Sequence, residues 1–144
     1  MAIADPRVNR FIEDKDTRVS VGLKMPLGRQ PGSGDGFFTT TKTTIDAVKE
    51  DIRLLLLTQQ GERLFQPLLG MNIRRFLFEQ ITENTVIEIE NDIVATFSRW
   101  LPFVQLNDIN VDISNQDRNK IKIDIKFNIV NAPNDLQSVG VVLE

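Results

Sequence analysis

Pro102 divides the hydrophobic pattern of this chain into two regimes, and any fold must accommodate both. Before it, Val86, Ile89, Ile93, Phe97 and Trp100 recur at spacings of three and four, the period of a helix with one buried stripe. After it the spacing falls to two. Val104 and Leu106 are followed by Ile109, Val111 and Ile113, and then Ile121, Ile123, Ile125, Phe127 and Ile129 alternate with Lys122, Asp124, Lys126 and Asn128. Proline has no N–H and cannot extend a helical ladder, so the helix predicted from near Thr82 stops at this point. The two alternating runs, joined by the polar turn 114–120, read as a hairpin.

Upstream of this helix the period is also helical. Thr43 followed three residues later by Asp46 is a capping pair, and Ile45, Val48, Ile52, Leu55 and Leu56 then fall on one face while Lys49, Glu50 and Arg53 point elsewhere. Gly61 is the natural left-handed terminator. A shorter helix is predicted over 72–79, with Ile73, Phe76 and Leu77 inward and Arg74 and Arg75 outward. Val19, Val21 and Leu23 alternate like a short strand, residues 131–135 read as a turn, and 139–143 as a last short strand. Helices followed by strands predict an α+β fold: three helices packed against a small, mainly antiparallel sheet of three or four strands with an open edge. At 144 residues the chain is the size of one domain, assigned to 18–144. Residues 1–17, with the charge cluster Glu13, Asp14, Lys15 and Asp16, read as a flexible arm, and the glycine-rich segment 28–36 as a connector.

The absence of cysteine and histidine removes disulfides, thiolate chemistry and every Ser-His or Cys-His nucleophile. Hydrolysis would rest on carboxylates, and Glu62, Glu79 and Glu83 are the candidates near the turn after the first helix. Neither the glycine segment, which no Lys-Ser or Lys-Thr follows, nor the 114–120 turn, which lacks the spacing of an EF-hand loop, carries a cofactor or metal motif. The net charge of −3 is spread along the chain, which argues against a nucleic-acid partner. The apolar run 54–57 is far shorter than the roughly 20 residues of a membrane span, and the first residues lack the apolar stretch of a secretory signal. Two features point to protein partners instead. The turn containing Glu62, Arg63 and Pro67 reads as a structural turn whose charged pair folds back on the helix end or on itself, and its functional reading is a rigid docking surface. A sheet of so few strands also leaves an edge open to a partner's strand.

The string Thr58-x-x-Gly61-Glu62-Arg63, with Phe65, Pro67, Gly70 and Leu77-Phe78-Glu79 following in order, resembles the baseplate-wedge family of contractile phage tails. That family includes the wedge protein encoded by gene 25 of T-even phages and the related component of type VI secretion. The similarity spans 37–143, from the Phe37-Phe38-x-Thr40 segment through the hairpin and the 131–135 turn. It implies a structural component of the virion tail baseplate, assembled in the host cytoplasm, without a cofactor, that joins the wedge core to the sheath and starts sheath assembly. The implied partners are the tail sheath protein, the other wedge proteins and, as a further candidate, the tail tube initiator. Mapped onto this chain, Glu62, Arg63, Pro67, Leu101, Pro102 and Phe103 would contact the wedge core, and Ile121, Ile123, Ile125, Phe127, Val139, Val141 and Leu143 would accept sheath strands. Family members usually carry Glu-Pro-Arg where this chain has Leu101, Pro102 and Phe103, so the expected contact there is apolar and resistant to salt. The family has also been described as lysozyme-like, which makes a tail-associated peptidoglycan hydrolase using Glu62 or Glu79 the rival reading.

Overall fold

The computed structural model describes residues 16, 18–28, 38–79, 82–113 and 120–143. The arm 1–17 apart from Asp16, the connector 29–36 and the hairpin turn 114–119 lie outside the described residues. The chain divides into two compact units, 1–54 and 55–144.

In the first unit, β1 (Gly22–Leu23) pairs antiparallel with β2 (Thr40–Thr41). The ladder is extended by Val21 N–H to Thr41 O and Lys24 N–H to Thr39 O, both 3.0 Å. The strand expected around Val19, Val21 and Leu23 is therefore reduced to two residues. Val19 and Leu23 are exposed, so their alternation does not mark a buried face. Helix α1 (Thr44–Leu57) begins at the predicted cap: Asp46 N–H donates to Thr43 Oγ1 at 3.2 Å and the hydroxyl donates to Asp46 Oδ2 at 2.8 Å. Val48 and Ile52 are buried as expected, but so is Glu50. Its carboxylate accepts from Arg53 Nη1 at 2.7 Å and Met25 N–H at 3.3 Å, and these donors compensate the burial of charge.

The second unit holds the last turn of α1, a 3-10 helix (Ile73–Phe78), α2 (Glu83–Trp100) and a sheet of β3 (Val104–Asp112), β4 (Ile121–Ile129) and β5 (Ala132–Leu143) in the order β3-β4-β5, all antiparallel. The predicted helix over 72–79 takes the tighter 3-10 form, still burying Ile73, Phe76 and Leu77. Helix α2 opens on a reciprocal capping box between Thr82 and Thr85 and buries Ile89, Ile93 and Phe97. Its last bond is Leu101 N–H to Phe97 O at 2.8 Å, and Pro102 ends it as predicted.

The sheet's inner face is a ladder of cross-strand rungs. Ile109, Ile125 and Val139 stand opposite one another, as do Val111, Ile123 and Val141, while Ile121 faces Leu143. All five apolar residues of β4 are buried, as its alternation predicts. The outer face is charged, with Lys126–Asp108 and Lys122–Asp124 pairs, each at 2.9 Å.

Strand β5 is much longer than the 139–143 expected from sequence. The turn is Val130–Asn131, and Ala132 already pairs with Ile129. Between Ile129↔Ala132 and Phe127↔Gln137, β4 uses the single residue Asn128 where β5 uses 133–136. Asn128 Nδ2 bridges the excursion by donating to Pro133 O at 3.1 Å. Pro133 signals a turn in sequence, but a strand paired on one side tolerates a missing N–H.

Candidate partner-binding surfaces

The turn after α1 is a closed loop built by backbone bonds. Met71 N–H donates to Thr58 O at 2.8 Å and Gly61 N–H to Pro67 O at 2.7 Å, so the loop is clamped across its base and again across its waist. Glu62 Oε2 accepts from Gln59 N–H at 3.0 Å, which identifies the glutamate as a brace folded back on the backbone. The chain turns the two corners at Gly61 (φ +87°) and Gly70 (φ +108°), in the region that L side chains rarely adopt. Gly61 has the left-handed geometry expected of it, but α1 has already ended at Leu57. At Gly70 a Cβ would stand 2.3 Å from Thr58 O, so only glycine allows this closure. A side-chain stitch completes the frame, Asn72 Nδ2 to Gln60 Oε1 at 3.1 Å and Gln60 Nε2 to Gly70 O at 3.3 Å.

What this frame presents is apolar. Leu64 is 92% and Phe65 97% exposed. Neither was identified as a site residue from periodicity, because they lie in a turn where no period operates. The available signal was an apolar pair held between two glycines. Phe78 is 85% exposed, at the end of the 3-10 helix where the burial stripe has rotated past it.

The expected contact at the end of α2 is only partly available. Leu101 is 9% exposed, and its carbonyl accepts from Val104 N–H at 3.0 Å. It belongs to the core and does not offer itself to a partner. Pro102 and Phe103 remain on the surface, Phe103 at 41% exposure. Beside α2 lies a groove of about 360 Å³ lined by Gln60, Asn72, Arg75, Asp92, Arg99 and Trp100 among others. Arg75 pairs with Asp92 at 3.5 Å and stacks over Phe76 at 4.5 Å. Asp92 is the one carboxylate among the groove's described lining, whereas glycoside hydrolysis uses two.

The predicted strand-accepting residues separate by strand. Ile121, Ile123, Ile125 and Phe127 lie on β4, whose backbone is paired on both sides and whose side chains fill the core. They cannot add a foreign strand. Val139, Val141 and Leu143 lie on β5, an edge of the sheet, although their side chains also point inward. β3 forms the other edge and is interrupted at 107, between Leu106 and Asp108. β5 pairs without interruption from Gln137 to Leu143. On the outer face, the hydrogen bond from Lys122 to Asp124 raises the lysine's pKa, as that from Lys126 to Asp108 does.

Among the described residues no cluster of acids is placed to hold a metal ion, and no helix is long and apolar enough to cross a membrane. The fold is similar to two solved structures. One is a Geobacter sulfurreducens protein provisionally designated a tail lysozyme, with TM-score 0.62 and 22% identity, covering 74% of this chain and 96% of that one. The other is a chain of the anti-feeding prophage baseplate, with TM-score 0.56 and 23% identity, covering 83% and 81%. Over 136 residues, 94% of this chain and 93% of the relative, the sequence is 21% identical to the baseplate wedge protein gp25 of Enterobacteria phage T4. The sequence pattern of one family matches residues 43–134, from the cap of α1 through the start of β5, and by that match the chain belongs to the baseplate wedge protein gp25 family.

Proposed function

We propose that this baseplate wedge component starts the sheath of a contractile tail by accepting a sheath strand along the outer edge of β5, while other surfaces of the second unit hold it to the wedge. The observation that carries this reading is the sheet order, which leaves the backbone of β5 with one neighbour, β4, among the described residues. Its uninterrupted stretch of pairing, 137–143, spans about 23 Å at roughly 3.3 Å per residue, the length of an ordinary strand. An edge of this kind passes on regular geometry through main-chain bonds and selects its partner through alternate side chains. Pro102, Phe103 and the 58–70 loop are the surfaces assigned to the other wedge proteins, with the tail tube initiator a further neighbour. The setting is the tail baseplate, assembled in the host cytoplasm.

The test is to occupy the edge in cis. A short Gly-Ser linker and one added strand appended after Glu144 would compete with any incoming strand at an effective concentration on the order of millimolar. Particles carrying the extended chain are expected to build baseplates without sheath when imaged by electron microscopy. Normal sheath growth would refute the strand-accepting role.

The rival hydrolase reading draws on the similarity to the Geobacter protein. Against it, Glu62 is committed to Gln59 N–H and both Glu62 and Glu79 are exposed, without the apolar enclosure that equips a carboxyl as general acid. A cell-wall release assay comparing the purified chain with Glu62→Gln and Glu79→Gln discriminates the two readings.

A further inference from the structure

We propose that Leu64 and Phe65 form a preformed plug that inserts into an apolar cleft, with a carboxylate at its rim, on a neighbouring protein of the baseplate. This rests on the reading above that the 58–70 loop faces the wedge, and it changes which residues make the contact: Glu62 and Pro67 build the loop, and the pair at its tip binds.

Three observations carry it. The two side chains are almost wholly in solvent, at 92% and 97%, although a Leu and a Phe withdrawn from water are each worth binding energy. The backbone that carries them is also held in place beforehand. The clamps from Met71 to Thr58 and from Gly61 to Pro67, together with the Glu62 brace, fix the tip before any partner arrives. Little backbone freedom at the tip then remains to be lost on docking, so the cost of ordering is confined to the two side chains. Finally, Arg63 beside the pair is exposed and has no hydrogen bond or ion pair among the described residues. A cleft that seats the plug while leaving this guanidinium unpaired would desolvate it at a cost, so an acidic rim is the complement.

Other occupants fit less well. In a second copy of the chain, the grooves lined by Arg75, Asp92 and Arg99 or by Lys24, Lys49 and Arg53 would lose hydration of charged groups to a Leu-Phe pair, and the groove along Val94, Phe97, Val104 and Leu106 has no carboxylate in its described lining to meet Arg63. A lipid surface would gain too little, since even a single myristoyl chain gives only marginal membrane binding.

The experiment places p-benzoylphenylalanine at position 65 in cells assembling complete particles, and maps the photocrosslink by mass spectrometry. The expected result is one site on one other baseplate protein, lined by apolar residues with an aspartate or glutamate at its edge. Incorporation of the Leu64→Ser/Phe65→Ser double variant into baseplates should fall about 30-fold or more, with the isolated chain's melting temperature unchanged. Phe65→Leu should stay within about 3-fold of the parent, and Arg63→Glu should lose about 10-fold. Normal incorporation of the double variant, a crosslink only to another copy, or flotation of the isolated chain with phosphatidylglycerol vesicles would each overturn the plug. The two readings fail separately. A plug variant that incorporates normally leaves the appended-strand block of sheath growth intact, and a sheath indifferent to the appended strand leaves the crosslink intact.

Discussion

Replacing Gly70 by alanine should cost far more than the same change at Gly61, although both glycines have positive φ. At Gly61 a Cβ meets nothing within 4 Å, so the penalty is the left-handed conformation alone, about 1–2 kcal/mol, partly offset by about 0.4–1 kcal/mol of lost freedom in the unfolded chain. The net loss is about 1 kcal/mol. At Gly70 the same terms apply, but the new Cβ would stand 2.3 Å from Thr58 O and 2.9 Å from Thr58 C. That carbonyl is backbone and cannot swing aside. It must move with the chain, breaking the 2.8 Å bond from Met71 N–H in a region where Thr58, Gly70 and Met71 are all buried. Leaving such a pair unmade costs a further 1–3 kcal/mol or so. Because the φ and unfolded-chain terms cancel between the variants, the difference isolates the loop closure. Urea titrations of both proteins, with matched m-values, should show it as a lower midpoint for Gly70→Ala, accompanied by a Tm roughly 3–12 °C below that of Gly61→Ala. Equal losses at the two positions would refute the claim that the 58–71 clamp forces glycine at 70.

Four other outcomes are expected. Ile125→Ala, at a fully buried position between Ile109 and Val139, should destabilise the chain by about 2–5 kcal/mol in urea. Thr82→Ala removes the capping box of α2 and should cost about 1 kcal/mol by the same assay. In Gly140→Ala the new Cβ meets Asp124 Oδ1 at 2.6 Å, the free end of a half-exposed side chain, so stability should barely change. Asp124 must release Lys122, however, and NMR titration should show the lysine pKa falling back toward 10.5. The stability that this bond lends the parent is present below the ordinary lysine value and lost as pH rises through the raised one, so the two proteins should converge above that range. In hydrogen exchange, β4 amides should be the slowest of the sheet, and some within 137–143 fast in the isolated chain but protected in sheathed particles. No gain of protection on assembly would count against strand addition.

Where burial followed a regular period, the sequence was enough. The alternation of β4, the buried stripe of α2 and its stop at Pro102, and the Thr43–Asp46 cap each depend on neighbours within a few residues. Features set by tertiary partners were not visible. Strand β5 reads as a turn until Asn128 is seen bridging to Pro133 O. Leu101 looks like a displaced surface contact until α2 is seen to carry it into the core. Glu50 reads as a solvated charge until Met25 N–H and Arg53 converge on it. The candidate site followed the same division. The loop's glycines and its Glu62 were legible because turn chemistry is local. Its exposed tip was not, since exposure is a property of what fails to pack.

The open edge and the loop tip share a physical logic that separates them from ordinary surface. Unpaired amides on a frayed strand, or apolar side chains on a mobile loop, spend their time among many conformations and return most of the binding energy as lost entropy. Here the unsatisfied groups sit on elements already fixed for other reasons. β5 is held by its bonds to β4 and by Val139, Val141 and Leu143 in the core. The tip is held by the Thr58–Met71 closure that only glycine at 70 allows. On the strand-accepting proposal, core variants such as Ile125→Ala should therefore weaken sheath assembly beyond their effect on the amount of folded chain, by loosening the edge. If the strand-accepting and plug proposals both hold, a folded chain with a softened sheet enters baseplates through the loop yet starts sheaths poorly.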